Sequence, residues 1–282
     1  MSSTLSMEKV LNIAHRGASS LAPENTLSAA RKGLAVGADM WELDVQLTAD
    51  DELVVIHDST LKRTSNVVDL FPHRRPWQVH EFTLADMRKL DFGSWFIEQD
   101  PFGQIAAGVV TGEELKSYVG EPAPTLEQAL LFTKEQNWHV NIEIKDLTQR
   151  PGNSQIVDKV IALVEKLNMV NVVLVSSFNH QYLAQIAASY PHVLTGVLDT
   201  KPHVRQASLL RRLGARTYHP RKTYIRLADI EKLKRQGFGV NVRTINDEKT
   251  MERLVRAGVS GIFTDFPQAL ASVLTSYRNT EA

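Results

Sequence analysis

Short apolar segments alternate with longer amphipathic segments along nearly the whole chain, and this alternation limits the fold more than any other feature. The short segments are typical of buried strands, and the longer ones have apolar residues three and four apart, as helices do. The predicted strands are Val10–Ala14, Met40–Leu47, Val140–Ile144, Val172–Ser176, Leu194–Leu198, Ala215–His219, Gly239–Thr244 and Gly261–Thr264. The predicted helices are Glu24–Leu34, Thr125–Glu135, Ser154–Leu167, His180–Ser189, Pro202–Arg212, Leu227–Arg235, Asp247–Arg256 and Pro267–Ser276. Eight units of about 35 residues predict a protein of the α/β class, a closed TIM (β/α)8 barrel.

One long interruption follows the second strand. A further strand-like segment, Glu52–Ile56, predicts a hairpin there. Between about residues 65 and 124 the periodicity is weak, apart from a short helix predicted over Thr83–Leu90. An insertion of this length is expected to form a lid, a binding loop or a small subdomain, and its part from 93 to 122 has the weakest pattern. The whole chain, 1–282, is predicted to be one barrel domain that contains this insertion.

The composition excludes several classes of protein. Thirty-two Lys and Arg residues balance 32 Asp and Glu residues, and the zero net charge argues against a broad surface for nucleic acid. The absence of cysteine excludes disulfides, thiolate metal sites and cysteine nucleophiles. The sequence has no secretory signal pattern and no apolar run long enough for stable membrane insertion, so a cytoplasmic location is predicted. Residues 1–9 are polar and are expected to fray.

Polar residues recur where the predicted strands end, which is where (β/α)8 barrels carry their chemistry. Glu42 and Asp44 lie two residues apart and face the same side of the second strand, and Glu143 and Lys145 have the same spacing on the next barrel strand. Three carboxylates meeting inside the barrel would repel one another. An oxygen-only set of this kind suits one hard divalent cation, Mg²⁺ or Ca²⁺. An ion-pair layer with Lys145 and Arg16 is the alternative that spacing alone leaves open.

Two histidines at predicted strand ends are candidates for proton transfer. His15 follows the first strand and His57 follows the hairpin, and only imidazole titrates near neutrality without help. Hydrogen-bonded histidines without a chemical role are the alternative. Arg16 offers a forked donor that matches a phosphate, and Lys145 adds a compact positive charge. Their alternative role is to neutralise the neighbouring acids, which does not exclude a phosphate contact.

Several separated motifs resemble the glycerophosphodiester phosphodiesterase family, over about residues 11 to 275. They are His15-Arg16-Gly17, Pro23-Glu24-Asn25-Thr26, Glu42-Leu43-Asp44-Val45, His57-Asp58 followed by Leu61 and Arg63-Thr64, Pro124-Thr125-Leu126-Glu127, Asn141-Ile142-Glu143-Ile144-Lys145 and Gly261-Ile262-Phe263-Thr264-Asp265-Phe266-Pro267. Several motifs in the same order are far more specific than any one of them.

The resemblance implies a TIM-barrel enzyme of glycerol and lipid metabolism that hydrolyses a small glycerophosphodiester to sn-glycerol 3-phosphate and an alcohol. By position, the implied residues are the acid and base His15 and His57, the ligands Glu42, Asp44 and Glu143 of one divalent cation, and the phosphate-binding Arg16 and Lys145. Which histidine is the acid stays open at this stage. So does the nucleophile, which is either water or the substrate's own glycerol hydroxyl, and so does the formation of a homo-oligomer.

One residue departs from the family pattern: Arg243 stands where the family usually has a Trp. An arginine repels the quaternary ammonium of choline, which an aromatic ring would attract. Anionic or neutral alcohols are therefore expected to be used at least as well as choline. A lysophospholipase D-type enzyme, which forms a cyclic phosphate, is an alternative and needs an apolar surface that Phe96, Phe102 and Ile105 could supply. A non-catalytic barrel is the third interpretation, but it has no need for both histidines and all three carboxylates.

Overall fold

The fold is a closed barrel of parallel strands surrounded by helices, as the alternation predicts. A computed structural model describes residues 9–281. Within this range the strands are β1 (Leu11–Ala14), β2 (Met40–Leu47), β3 (Leu53–Val55), β4 (His139–Ile144), β5 (Val173–Ser177), β6 (Leu194–Leu198), β7 (Thr217–His219), β8 (Gly239–Val242) and β9 (Gly261–Thr264). The helices in the same range are α1 (Leu27–Ala35), α2 (Val67–Leu70), α3 (Leu84–Met87), α4 (Ser94–Gln99), α5 (Gly112–Tyr118), α6 (Leu126–Glu135), α7 (Ile156–Lys166), α8 (His180–Ser189), α9 (Gln206–Arg212), α10 (Leu227–Arg235), α11 (Glu248–Arg256) and α12 (Pro267–Glu281).

The strand order closes the barrel. The order is β1-β9-β8-β7-β6-β5-β4-β2, and β1 also pairs with β2. All of these pairs are parallel, whereas β3 pairs antiparallel with β2 and forms the predicted hairpin. In a ring of this order, β7 lies across the barrel from β2, and β8 lies across from β4.

Side chains alternate between the inside and the outside of the barrel. Outward-facing apolar residues such as Ile142 and Val240 are fully buried beneath the surrounding helices. Inward-facing Ile13, Met40 and Phe263 form a separate buried cluster inside the barrel. This cluster gives the carboxyl end of the barrel an apolar floor, above which polar side chains can gather.

The predicted start of one helix and of one strand is wrong. The helix predicted from Pro202 begins at Gln206, because the backbone N–H of Arg205 donates to the ring of His203. The strand predicted from Ala215 begins at Thr217, because the N–H of Ala215 still donates to a carbonyl of α9. The helix predicted to end at Ser276 extends to Glu281, and the ends of the other predicted elements are shifted by at most three residues.

Residues 93–122, where the sequence pattern is weakest, contain regular structure. This segment contains α4 and α5, and Trp95, Phe96 and Tyr118 are buried in one cluster beside the first turns after β1. The Tyr118 hydroxyl donates to the carbonyl oxygen of Leu21 at 3.0 Å. Because Phe96 has no exposed surface, it cannot form the apolar surface that an acyl chain would need.

Some predictions are not tested by these observations. The prediction for residues 1–8 lies outside the described residues. The assignment of the whole chain to one domain and the cytoplasmic location stay predictions. Among the residues that the structure describes, no helix is both long and apolar enough to cross a membrane.

Candidate active site

Three carboxylates from neighbouring strands converge at the carboxyl end of the barrel. Asp44 on β2 and Glu143 on β4 lie side by side in the parallel ladder, and Glu42 precedes Asp44 on the same face. All three residues are buried, and one oxygen atom from each lies within 4.8 Å of the others. The structure therefore brings the three predicted metal ligands together.

The charges of this cluster are unevenly compensated. Lys145 Nζ lies 2.6 Å from Glu143 and 3.1 Å from Asp44. Burial acts to raise the pKa of Asp44, but Lys145 and Arg16 lower it far below its usual range. Burial and the charge of Asp44 raise the pKa of Glu42 to about 8, and no Lys or Arg of residues 9–279 forms an ion pair with Glu42. Glu42 is thus the carboxylate of the cluster that has no ion-pair partner, and the all-oxygen donor set of the three residues fits Mg²⁺ or Ca²⁺.

Arg16 is held beside the cluster by two carboxylates, Glu24 and the cluster's own Asp44. Its Nη1 donates to Glu24 at 2.9 Å, and its Nε lies 3.4 Å from Asp44. Its backbone N–H donates to Glu42 at 2.8 Å. Glu24 also accepts two hydrogen bonds from Arg63, at 2.7 and 2.8 Å. Arg16 is therefore fixed at the wall of the site, and its remaining N–H groups are available to an anion.

Each predicted catalytic histidine is hydrogen-bonded to a carboxylate through Nδ1. The Nδ1 atom of His15 lies 2.7 Å from Asp265, and that of His57 lies 2.7 Å from Asp58. Burial acts to raise the pKa of Asp265, but His15 lowers it to about 2. An ionised carboxylate accepts from Nδ1–H, which leaves Nε2 of each ring as the nitrogen that can face a ligand.

Three residues that position the site were named within the family motifs but were given no role from the sequence. Asp58 and Asp265 orient the histidines, and Asp265 also accepts from Asn246 at 2.7 Å. Asn25 donates to the Asp44 carboxylate at 2.9 Å and accepts from its backbone N–H at 3.1 Å. All three lie in motifs that carry the family resemblance, so their position in those motifs was the available signal.

A cavity of about 550 Å³ is lined by five of the seven predicted site residues, and the other two, Asp44 and Lys145, do not line it. Its lining residues include His15, Arg16, Glu42, His57, Asn141, Glu143, Ser176, Phe178, Arg221, Lys222 and Arg243. Arg243 faces the cavity, and its guanidinium carbon lies 4.5 Å from the centre of the Phe178 ring. A cation on an aromatic ring therefore forms the wall where the family pattern has a Trp.

A glycine sets the close approach of the first loop to α1. Gly17 has a φ of +81°, and a Cβ atom there would lie 2.6 Å from the backbone of Ala29. We expect Gly17→Ala to lower the free energy of unfolding by about 2–4 kcal/mol, since it adds backbone strain and a steric clash. Urea unfolding of the variant measures this loss.

The matched control is Gly112→Ala, at the start of α5. A Cβ atom at Gly112 meets nothing within 4 Å, so the free energy of unfolding should stay within about 1 kcal/mol of the parent value. Equal losses in the two variants would contradict the steric explanation for Gly17.

Comparison with known proteins gives long matches. The sequence model of the glycerophosphoryl diester phosphodiesterase family matches residues 15–269. A glycerophosphodiester phosphodiesterase of Caldanaerobacter subterraneus subsp. tengcongensis is 36% identical over 267 residues, which cover 94% of this chain and 98% of the relative. A glycerophosphodiester phosphodiesterase of Bacillus subtilis is 32% identical over 285 residues, which cover 97% of this chain and 89% of the relative.

Solved structures agree with these matches. A phosphodiesterase of Oleispira antarctica in complex with the product sn-glycerol-3-phosphate superposes with a TM-score of 0.79 at 25% identity, over 95% of this chain and 96% of that one. A glycerophosphodiester phosphodiesterase of Agrobacterium tumefaciens superposes with a TM-score of 0.72 at 27% identity, over 94% of this chain and 99% of that one. We conclude that this chain is an enzyme and that it belongs to the glycerophosphoryl diester phosphodiesterase family.

Proposed function

We propose that the protein hydrolyses glycerophosphodiesters to sn-glycerol 3-phosphate and an alcohol, with His15 and His57 as the acid and base. One observation carries this proposal: both histidines line the same cavity as the carboxylates Glu42 and Glu143. Each ring is held through Nδ1, so that Nε2 of both can face one phosphodiester. This arrangement supports two proton transfers beside one cation-binding cluster.

The charged groups of the cavity divide into two sets. One divalent cation, held by Glu42, Asp44 and Glu143, would polarise a phosphoryl oxygen when bound. Arg16 and Lys145 bind the phosphodiester and share the negative charge that builds up on it. Their carboxylate partners fix both side chains before the substrate arrives, which favours such stabilisation.

The histidines move the two protons of the reaction. One ring takes a proton through Nε2 from the attacking oxygen, which forms the new bond to phosphorus. The other ring gives a proton through Nε2 to the oxygen of the departing alcohol as its bond to phosphorus breaks. With water as the net nucleophile, its hydroxyl is added to phosphorus and its proton ends on the alcohol. If the substrate's own hydroxyl attacks first, water opens the cyclic phosphate afterwards with the same balance.

The comparisons support the substrate assignment. The relatives from Caldanaerobacter and Bacillus are named glycerophosphodiester phosphodiesterases, and both matches span most of each chain. The phosphodiesterase from Oleispira holds sn-glycerol-3-phosphate as its product. A glycerol 3-phosphate group at the carboxyl end of this barrel is therefore the substrate half that we propose.

The lysophospholipase D alternative lacks support in the cavity walls. Phe96 is fully buried, and Phe102 packs edge-on against Phe266 with ring centres 5.5 Å apart. Ile105 packs on the buried cluster around Phe96. None of these three side chains lines the cavity that holds the histidines.

An assay with three substrates tests the proposal. We expect release of sn-glycerol 3-phosphate from glycerophosphoglycerol and glycerophosphocholine with added Mg²⁺ or Ca²⁺, and at least tenfold slower turnover of lysophosphatidylcholine. A coupled enzymatic measurement of sn-glycerol 3-phosphate detects hydrolysis of the two glycerophosphodiesters, and a coupled measurement of released choline detects turnover of lysophosphatidylcholine. Faster turnover of lysophosphatidylcholine would favour the lysophospholipase alternative. Absence of turnover with every substrate and cation would favour a non-catalytic barrel.

A further inference from the structure

The wall of the cavity across from the acidic cluster carries several positive charges. Arg243 directly follows β8, which lies across the barrel from β4, and Arg221 and Lys222 follow β7, which lies across from β2. All three side chains line the cavity that contains Glu42 and Glu143. We call Arg221, Lys222 and Arg243 the cationic wall.

Arg243 is fixed in this wall without a carboxylate partner. Its Nε donates to the carbonyl oxygen of His219 at 3.0 Å, and its Nη2 donates to that of Asp199 at 3.1 Å. The guanidinium also lies over the ring of Phe178. The carboxylate of Asp199 accepts a hydrogen bond from the Tyr218 hydroxyl at 2.9 Å instead. These contacts orient Arg243 but leave it without an ion-pair partner, as in a preorganised anion site.

The cations beside the acidic cluster already have ion-pair partners. Arg16 and Lys145 each lie within 4 Å of two carboxylates. Within residues 9–279, neither Arg243 nor Arg221 forms an ion pair with a carboxylate. Lys222 contacts Asp247 at 3.4 Å, and both of these side chains are about half exposed. The arginines of the cavity that have no ion-pair partner within residues 9–279 therefore lie on the wall across from the acidic cluster.

We propose that the cationic wall binds a negatively charged group on the alcohol half of the substrate. The preferred substrates are then diesters of glycerol 3-phosphate whose leaving alcohol carries its own phosphate or carboxylate. This proposal rests on the proposed function, because the scissile phosphate lies at the acidic cluster. A cavity of about 550 Å³ is within the usual size range for small-molecule sites and can hold both halves. Choline is disfavoured, since its ammonium would meet like charges.

A comparison of kcat/KM for four substrates tests this proposal. Four diesters share the sn-glycerol 3-phosphate half, and their alcohols are glycerol, glycerol 3-phosphate, glyceric acid and choline. We expect kcat/KM to be about tenfold or more higher for the phosphate-bearing or carboxylate-bearing alcohol than for glycerol, through a lower KM, because charge-assisted hydrogen bonds are stronger than neutral ones. Comparing the diester of glycerol 3-phosphate with that of glyceric acid distinguishes recognition of a phosphate from recognition of a carboxylate. Choline should give the lowest value.

Variants of the wall identify the residues responsible. The measured quantity is the ratio of kcat/KM for the anionic diester to kcat/KM for the glycerol diester. Arg243→Gln and Arg221→Gln should each reduce this ratio by about tenfold. Arg243→Lys keeps the charge and should retain part of the ratio. The matched control is Arg235→Gln, an exposed residue of α10 that does not line the cavity, and it should leave the ratio unchanged. Arg221 is exposed, so Arg221→Gln should fold even if the Arg243 variants do not, and it then tests the proposal alone.

Sulfate binding to the metal-free protein separates this proposal from the proposed function. In the metal-free protein, calorimetry should detect a bound sulfate whose affinity falls about tenfold or more in Arg221→Gln and is unchanged in Arg235→Gln. Sulfate binding that is unchanged in Arg221→Gln would place the anion at Arg16 and contradict the subsite. Suppose that the protein hydrolyses the glycerol diester, and that neither Arg243→Gln nor Arg221→Gln changes the ratio of kcat/KM between the anionic and the glycerol diester. This result would overturn the anion subsite and leave the proposed function intact. Loss of sulfate binding in Arg221→Gln, in a protein that hydrolyses no diester, would support the subsite and refute the function.

Discussion

Replacing His15 or His57 by Ala is expected to lower kcat by about two to four orders of magnitude while leaving the chain folded. Each ring is held by its own carboxylate, Asp265 or Asp58, so neither can take over the position of the other. Steady-state kinetics on glycerophosphoglycerol measure the loss. Circular dichroism and calorimetric metal binding, which should both remain, separate a lost proton transfer from a lost fold.

The control for this prediction is His192→Ala. His192 is half exposed and pairs with Glu165 on the outer surface, so kcat should not change. Parent-like rates in the His15 or the His57 variant would remove that residue from the mechanism. The pH profile of kcat/KM should be bell-shaped in the parent and lose one limb in a variant with residual activity, and the lost limb assigns the acid or the base.

Asp265→Asn tests how His15 is oriented. Burial and Arg16 act to lower the pKa of His15, but Asp265 and Glu42 outweigh them and raise it above its ordinary value. Removing the charge of Asp265 should therefore shift the limb that belongs to His15 to lower pH, with a smaller loss of kcat than in His15→Ala. A purely structural role for Asp265 would lower stability and leave the position of the limb unchanged.

The barrel could be predicted from the sequence because its strands are buried on both faces. Strands such as Leu194–Leu198 stand out as short apolar segments between amphipathic helices, and their predicted bounds are those observed. The insertion could not be predicted in the same way. Helices α4 and α5 have six and seven residues, too few for a 3.6-residue periodicity to be distinguished from chance. Their stability comes instead from tertiary burial of Trp95, Phe96 and Tyr118.

The candidate site was predictable where its residues share a strand. Glu42 and Asp44 face the same side by spacing alone, whereas the position of Glu143 beside Asp44 depends on β2 pairing with β4 across the insertion. The hydrogen bond between His15 and Asp265 joins residues that are 250 positions apart in the sequence. No local pattern encodes such a contact. It arises because β9 returns to pair with β1 and brings the two strand ends together.

Metal removal distinguishes the two interpretations of the acidic cluster. If Glu42, Asp44 and Glu143 hold a cation, exhaustive treatment with EDTA should reduce the hydrolysis of glycerophosphodiesters to background, and Mg²⁺ or Ca²⁺ should restore it. Calorimetry should find one bound cation per chain. Full activity after exhaustive chelation would exclude a metal-dependent mechanism and favour the ion-pair layer with Lys145 and Arg16.

Glu42→Gln makes the distinction sharper, because the two interpretations predict opposite changes in stability. In the metal-free protein Glu42 is buried against two like charges, so its neutralisation should raise the free energy of unfolding, by about 1–3 kcal/mol, and should also weaken cation binding and abolish activity. An ion-pair role predicts instead a loss of stability with activity per folded molecule retained. The control, Glu135→Gln on the exposed side of α6, should change neither stability nor cation binding. Urea unfolding in EDTA measures the sign of the change, and a loss of stability in Glu42→Gln with normal cation binding would exclude Glu42 as a metal ligand.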